Sequence, residues 1–243
     1  SSAASDVYKR QVVYSVKLFT LKKSAVQLFA ALAILSAALG AVCGGVAHAQ
    51  TVTAPVVVID AGHGGIDAGV CGKSTGVKEC DLNLDIAKKL KGLFSRAGFA
   101  AVLTRKSRAG LYGLPTSGFK LRDMKKRREI IRESGADMVI SVHQNFYSDS
   151  ARRGAQVFFD SSSEAGKELA VSIQSCLNAM DSATRKVNPL VGDYYMLECT
   201  DSPSVIVECG FLSNAEDEKL LLTEEYRDEV AHAIFTGALE YFA

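Results

Sequence analysis

The chain has 243 residues, with 28 basic and 27 acidic side chains and a formal charge of +1. Charges so evenly matched provide no broad basic surface for phosphate backbones, so nucleic acid is not expected as a partner. Six cysteines at irregular spacings and four histidines exclude a disulfide scaffold and a zinc knuckle built on C-x-x-C pairs.

The first fifty residues differ from the rest. The stretch SSAASDVYKRQ lacks an initiating methionine and any periodicity and is read as foreign to the fold. Then come Lys17, Lys22 and Lys23, an apolar run from about Ala25 to Val42, and Ala47-His48-Ala49. Basic, apolar and small-residue segments in that order make a secretory signal, with cleavage before Gln50. An uncleaved membrane anchor is the alternative, because the run is about as long as a minimal spanning helix. Either way residues 1–49 stand apart, and residues 50–243 form one exported, extracytoplasmic domain with 23 basic and 26 acidic side chains. Its five cysteines are Cys71, Cys80, Cys176, Cys199 and Cys209. Cys71 and Cys80 flank a glycine-rich loop and would either close a small ring or remain free thiols.

From residue 55 onward, short β-branched runs alternate with helical patterns. VVVID reads as a strand. In DLNLDIAKKLKGLFSRAG, Leu82, Ile86, Leu90, Leu93, Phe94 and Ala97 share one helix face, with Asp81 as N-cap and Gly98 as stop. AAVLTR follows as a strand, and KSRAGLYGLPTSG as a loop. FKLRDMKKRREIIRESG is helical through Leu121, Met124, Arg128 and Ile131, its Lys125–Arg128 run forming a solvated face. DMVISVHQN and GAQVFFD are strands, and SSEAGKELAVSIQSCLNAM is an amphipathic helix. YYMLECT and SVIVECG are read as two further strands. NAEDEKLLL, capped by Asn214, and EEYRDEVAHAIFTGALEYF close the chain as helices. The alternation predicts a single α/β domain: a largely parallel, twisted, mixed sheet flanked by helices on both faces.

Ligands of such sheets gather beyond the carboxyl ends of the strands. His63 lies just past VVVID, His143 at the end of MVISV, and Glu208 at the end of SVIV. A nucleotide is the first candidate for the glycine-rich loop, but Asp67 stands where a dinucleotide fingerprint needs its third glycine, and no G-K-[ST] follows. Metal binding fits better. His63, Glu79 and His143 make a two-nitrogen, one-carboxylate set, a composition used by catalytic zinc, and Gly62, Gly64 and Gly65 would free the backbone to turn His63 inward. Taken singly, each residue reads equally well as a hydrogen-bonded structural side chain. Glu208 would be the carboxylate that moves a proton in amide cleavage; otherwise it is a core acid in need of a cation. His232 is an ordinary structural residue.

VVVIDAGHGG, KECDLNLDIAKKL, VLTR, ISVHQN and VIVECGFLSN, in that order between about Val56 and Phe242, resemble the successive motifs of the zinc-dependent N-acetylmuramoyl-L-alanine amidases of the amidase 3 family. The resemblance implies that His63, Glu79 and His143 bind Zn2+, that Glu208 is catalytic, and that peptidoglycan is the substrate. Water activated on zinc would cleave the bond between the lactyl group of N-acetylmuramic acid and the L-alanine of the stem peptide, and Asn145 would orient a ligand or the substrate. Arg105 or Arg122 would meet stem carboxylates. Ala61 and Gln144 depart from the family's usual proline and alanine. Only 65 residues separate His143 from Glu208, little room for the inserted regulatory helix of some periplasmic members. GLYGLPTSGFKLRDMKKRREII and RGAQVFF are most similar to the germination-specific, spore-cortex branch, and a protein activator would be in keeping with such a role. Three rivals remain: a nucleophilic hydrolase using Cys209 with His143, another zinc-dependent amidohydrolase or peptidase, and a wall-binding module that keeps the fold without catalysis.

Overall fold

The computed structural model describes residues 53–183 and 185–242; the signal or anchor segment expected within residues 1–49 lies outside them. Among the described residues no helix is long and apolar enough to cross a membrane. Strands β1 (Val56–Ala61), β2 (Ala100–Leu103), β3 (Met138–Asn145), β4 (Gln156–Phe159), β5 (Leu190–Val191) and β6 (Ser204–Phe211) form one sheet in the order β2-β1-β3-β6-β4-β5. Every neighbouring pair is parallel except β4 with β6. The sheet is therefore mixed and largely parallel, as the alternation of strand and helix patterns implies.

Side chains alternate across a strand, so each central strand feeds two cores. On one face Val57, Ile59, Ile140, Val142, Val205 and Val207 are buried beneath α1 (Glu79–Arg96), α3 (Glu164–Asn178) and α5 (Glu224–Phe242). On the other, Val58, Val139 and Ile206 meet Ile131, Met196 and Leu197, carried by α2 (Phe119–Ser134) and a 3-10 turn, Tyr195–Glu198. A short α4 (Ala215–Leu222) links β6 to α5, with the Asn214 side chain accepting from the N–H groups of Glu216 and Asp217. The second face is incompletely covered near the carboxyl ends of β1, β3 and β6, and a cleft opens there.

Three local expectations are corrected. First, α1 begins at Glu79 rather than after Asp81, and Lys78 at its N-cap makes no side-chain bond. The orphan first-turn N–H groups of Glu79 and Cys80 are met instead by the carbonyls of Val70 and Ala68, so the preceding loop replaces a capping side chain. Second, the Lys125–Arg128 run of α2 is not wholly solvated. Leu121 is 58% exposed while Arg127 is 1% exposed, and the buried row is Asp123, Arg127 and Ile131. Asp60 on β1 is the reason: it faces α2 and recruits the guanidinium at 2.6 Å. Third, YYMLECT is not a strand. Tyr195–Glu198 forms the 3-10 turn, with Met196 and Leu197 buried, while the two-residue β5 precedes it. Cys71, Cys80, Cys176, Cys199 and Cys209 are all free thiols, so the ring between Cys71 and Cys80 is not formed.

Burial opposes ionisation of Asp60, but the Arg127 guanidinium and then the Thr104 and Ser141 hydroxyls prevail and hold its pKa at about 2. Because the folded value lies below the ordinary one, the stabilisation is complete above about pH 4 and is lost as pH falls through 2. Arg127→Leu strands the carboxylate and should cost about 3 kcal/mol or more at pH 7. Denaturant melts should show the deficit shrinking toward pH 3, where the stranded Asp60 can be protonated.

Candidate metal centre

His63 follows β1 in a glycine-rich turn and, alone among the described non-glycine residues, takes a positive φ, 61°. A left-handed histidine is held by its surroundings rather than by preference. The surroundings are explicit. Arg127 donates to the carbonyls of Ala61 and His63, each at 2.6 Å. Arg105 donates to those of Ala61 at 2.8 Å and Gly62 at 2.9 Å. Asn83 adds a second donor at the Gly62 carbonyl, at 3.2 Å. Gly62 must lack a side chain, since a methyl group there would overlap the His143 ring.

Glu79 comes from the first turn of α1 and is almost fully buried. Its Oε2 accepts the Val70 N–H at 2.8 Å. Its Oε1 accepts the Gln144 N–H at 3.1 Å and the Asn83 carboxamide at 3.2 Å. The same oxygen lies 3.3 Å from His63 Nε2 and 2.9 Å from His143 Nδ1. One ligand atom from each of His63, Glu79 and His143 falls within 4.8 Å of the other two. Asp67 sits behind this cluster, 3.0 Å from His63 Nδ1, and so directs Nε2 toward Glu79. A metal-binding imidazole commonly has such a carboxylate on its far nitrogen.

The electrostatics match the geometry. Burial would depress the His63 pKa, but bonds to Glu79 and Asp67 outweigh it and raise the value to about 9. Burial likewise opposes the Glu79 carboxylate, yet His143 and His63 pull its pKa far below the usual range. A buried anion that holds a proton on its neighbouring imidazole marks a focus where a cation is favoured in place of that proton, and two nitrogens with one oxygen suit zinc. These residues therefore fit a divalent ion.

Glu208 on β6 pairs in register with His143 on the adjacent β3. Both face a cavity of about 250 Å³ that also reaches His63, Asp67 and Tyr194. Glu208 Oε2 is buried with no hydrogen-bond partner. Burial pushes the carboxyl up to about 7, against the lowering influence of His143. An unpartnered carboxylate poised between charge states beside a cation site can take up and release a proton near neutrality. Cys209, the next residue, points to the opposite, core face, and burial raises its thiol well above the ordinary range. The Cys209–His143 nucleophile is excluded by that orientation.

Asn145 ends β3 beyond a register shift from His143, and its Oδ1 accepts the Phe146 N–H at 2.8 Å; it does not line the cavity. Arg105 is buried, its donors spent on carbonyls of Ala61, Gly62, Cys80 and Ser107. Arg122 is similarly engaged with the carbonyls of Tyr112, Leu114, Thr116 and Ser117. Neither arginine is free for a substrate carboxylate, contrary to expectation. His232 is exposed on α5, far from this chemistry in role, and bonds only its own helix at Asp228 O. Asp67, Asn83 and Tyr194 escaped the sequence reading. The only signal for Asp67 was its place four residues after His63 in a loop, where no period applies.

The sequence profile of the family described as N-acetylmuramoyl-L-alanine amidase matches residues 57–240. The germination-specific N-acetylmuramoyl-L-alanine amidase of Bacillus subtilis is 32% identical over 191 residues, covering 77% of this chain and 79% of the relative. LytC, another N-acetylmuramoyl-L-alanine amidase of B. subtilis, is 32% identical over 193 residues, but only 36% of its length is covered. The CwlD amidase of Clostridioides difficile, solved in complex with the GerS lipoprotein, superposes with a TM-score of 0.74 at 37% identity, over 77% of this chain and 98% of that one.

Asp67→Ala should leave the fold intact and weaken zinc binding by roughly 10- to 100-fold. Competition with a chromogenic chelator measures this; unchanged affinity would show that Asp67 does not orient His63.

Proposed function

The chain belongs to the N-acetylmuramoyl-L-alanine amidase family, and from that membership we propose that it hydrolyses peptidoglycan at the amide joining N-acetylmuramic acid to L-alanine, with zinc held by His63, Glu79 and His143. The observation that carries the mechanism is Glu208 Oε2, buried and unpartnered on the strand beside His143. A bound zinc supplies two things: it lowers the pKa of the attacking water from about 15.7 to about 7, and it polarises the scissile carbonyl. Glu208 takes the proton from that water and delivers it to the departing L-alanine nitrogen. Its pKa of about 7 lets one group serve as base and then as acid. Asp67 fixes the His63 tautomer, while Asn83 and the Gln144 N–H hold the Glu79 carboxylate. Asn145, with Oδ1 committed to Phe146, keeps its Nδ2 donors for substrate beyond the rim.

Spore cortex is the proposed wall substrate, supported by the likeness to the germination-specific relative and to CwlD. A lipoprotein partner is proposed on the ground that CwlD was solved in complex with the GerS lipoprotein. The site of action is outside the cytoplasm, where peptidoglycan lies, in keeping with the signal-like segment in residues 1–49. The wall-binding alternative leaves Glu208 without a role, and a functionless buried carboxyl is a cost that a binding module has no reason to retain.

Purified peptidoglycan digested by the protein should yield new L-alanine amino termini, and chelation should abolish them. Glu208→Gln should lower turnover by about 10²-fold or more while zinc content is retained. Full activity in chelator would end the zinc mechanism, and full activity in Glu208→Gln would remove the proposed base.

A further inference from the structure

We propose that the cleft is polarised along the sheet: Tyr194, at its β4 end, seats the muramoyl sugar ring, and Lys120, at its β1 end, takes a carboxylate of the stem peptide. This rests on the amidase reading and adds the direction in which the substrate lies.

The strand order sets the axis. His63, His143 and Glu208 sit at the ends of β1, β3 and β6, three adjacent strands, and β4 follows β6. Tyr194 stands at that far side, its ring edge-on to Phe158 of β4 with centroids 5.5 Å apart. Gly192 lets the backbone lie against the Tyr194 ring, where any side chain would collide with it. With Phe158 and Gly192 behind it, the ring stays 40% exposed and lines the cavity that contains Glu208. Burial first and the Glu208 charge second raise its phenol pKa, a sign of their proximity. Tyr195 is less free, since the Arg128 guanidinium lies over its ring at 5.9 Å. A fixed aromatic face beside a catalytic carboxylate suits the apolar C–H face of a sugar better than a flexible, charged peptide.

The opposite end carries charge. Of the two lysine and arginine side chains lining the cleft, Lys120 and Arg127, Arg127 is consumed internally by Asp60 and Asp123. Lys120 is 69% exposed and only loosely paired, 3.6 Å from Asp67, so its ammonium retains donors for an incoming carboxylate. The substrate is itself polarised, a neutral sugar on the acyl side of the scissile bond and an acidic peptide on the amine side. Laid with its amide beside Glu208, it matches the cleft in only one direction.

The test compares kcat/KM on three substrates: a muramoyl peptide with its stem carboxylate free, the same with that carboxylate amidated, and a sugarless lactyl peptide. Wild type should prefer the sugar-bearing and the free-carboxylate forms. Tyr194→Ala should shrink the sugar preference about tenfold, and Tyr194→Phe, which keeps the ring, should retain it. Lys120→Met should shrink the carboxylate preference about threefold without altering the sugar preference. Equal losses on all three substrates in folded variants, exchanged effects between the two positions, or a wild type indifferent to the sugar would each overturn the proposal. A zinc-loaded wild type that cleaves none of the three would instead overturn the amidase reading beneath it.

Discussion

Two buried guanidiniums hold three consecutive backbone carbonyls, those of Ala61, Gly62 and His63, and the rest of the site depends on that grip. A glycine-rich turn has little intrinsic reason to hold one shape, because its backbone freedom is large and must be given up on folding. Arg105 and Arg127 remove that freedom from outside. They fix His63 in a left-handed conformation from which its imidazole meets Glu79. The guanidiniums are themselves buried charges, and only Arg127 has direct carboxylate partners, Asp60 and Asp123. Breaking such an arrangement at one member is expensive, since the remaining charges lose their compensation without regaining water. The fold thus contains a rigid polar layer beneath the glycine-rich loop.

That layer exists because one face of the sheet is divided. Facing α1, α3 and α5 the central strands are apolar except for Gln144 near the end of β3, which bonds Asn83 of α1, and they supply the main core. Facing α2 they pass from apolar to polar along their length: Val58 to Asp60 on β1, Val139 to Ser141 and His143 on β3, Ile206 to Glu208 on β6. Parallel register brings these changes together, with Asp60 opposite Ser141 and His143 opposite Glu208. The order along each strand is a small core, then a structural ion pair, then reactive groups at the carboxyl end. Parallel pairing makes this possible, because β1, β3 and β6 all deliver their last residues to the same edge. α2 stops short of covering that edge, and the chain from β5 to β6 brings Tyr194 over it.

Much of this is legible in the sequence. VVVID, DMVISVHQN and SVIVECG read as strands because continuous β-branched runs are buried on both faces. With the strands placed, His63, His143 and Glu208 fell at their carboxyl ends, and the motif around Glu79 completed the set. What escaped has a common physical cause. Arg127 was assigned to solvent because hydrophobic periodicity counts only apolar residues, and a buried arginine is declared by its partner, Asp60, 67 positions away. Asp67 and Tyr194 lie in irregular backbone, where spacing carries no directional information. Asp81 was placed at an N-cap because aspartate suits that role, whereas carbonyls of the preceding loop had already satisfied the helix start. YYMLECT carries an aromatic and apolar run such as a buried strand has, but one too short to exclude a 3-10 turn. Arg105 and Arg122 were offered to substrate because the sequence does not reveal unpaired carbonyls, and it is carbonyls that occupy them.

The proposed centre is one ion gripped by three side chains: His63 on a loop that two arginines hold, Glu79 on the first turn of α1 and His143 on β3. Anomalous diffraction at the zinc absorption edge, from crystals of the protein grown with zinc, tests this directly. The expected result is a single strong peak about 2.0–2.2 Å from one nitrogen each of His63 and His143 and from a Glu79 carboxylate oxygen, with Glu208 near but not bound. A peak elsewhere in the cleft, a peak ligated by Glu208, or full occupancy that survives replacement of Glu79 by alanine would contradict it.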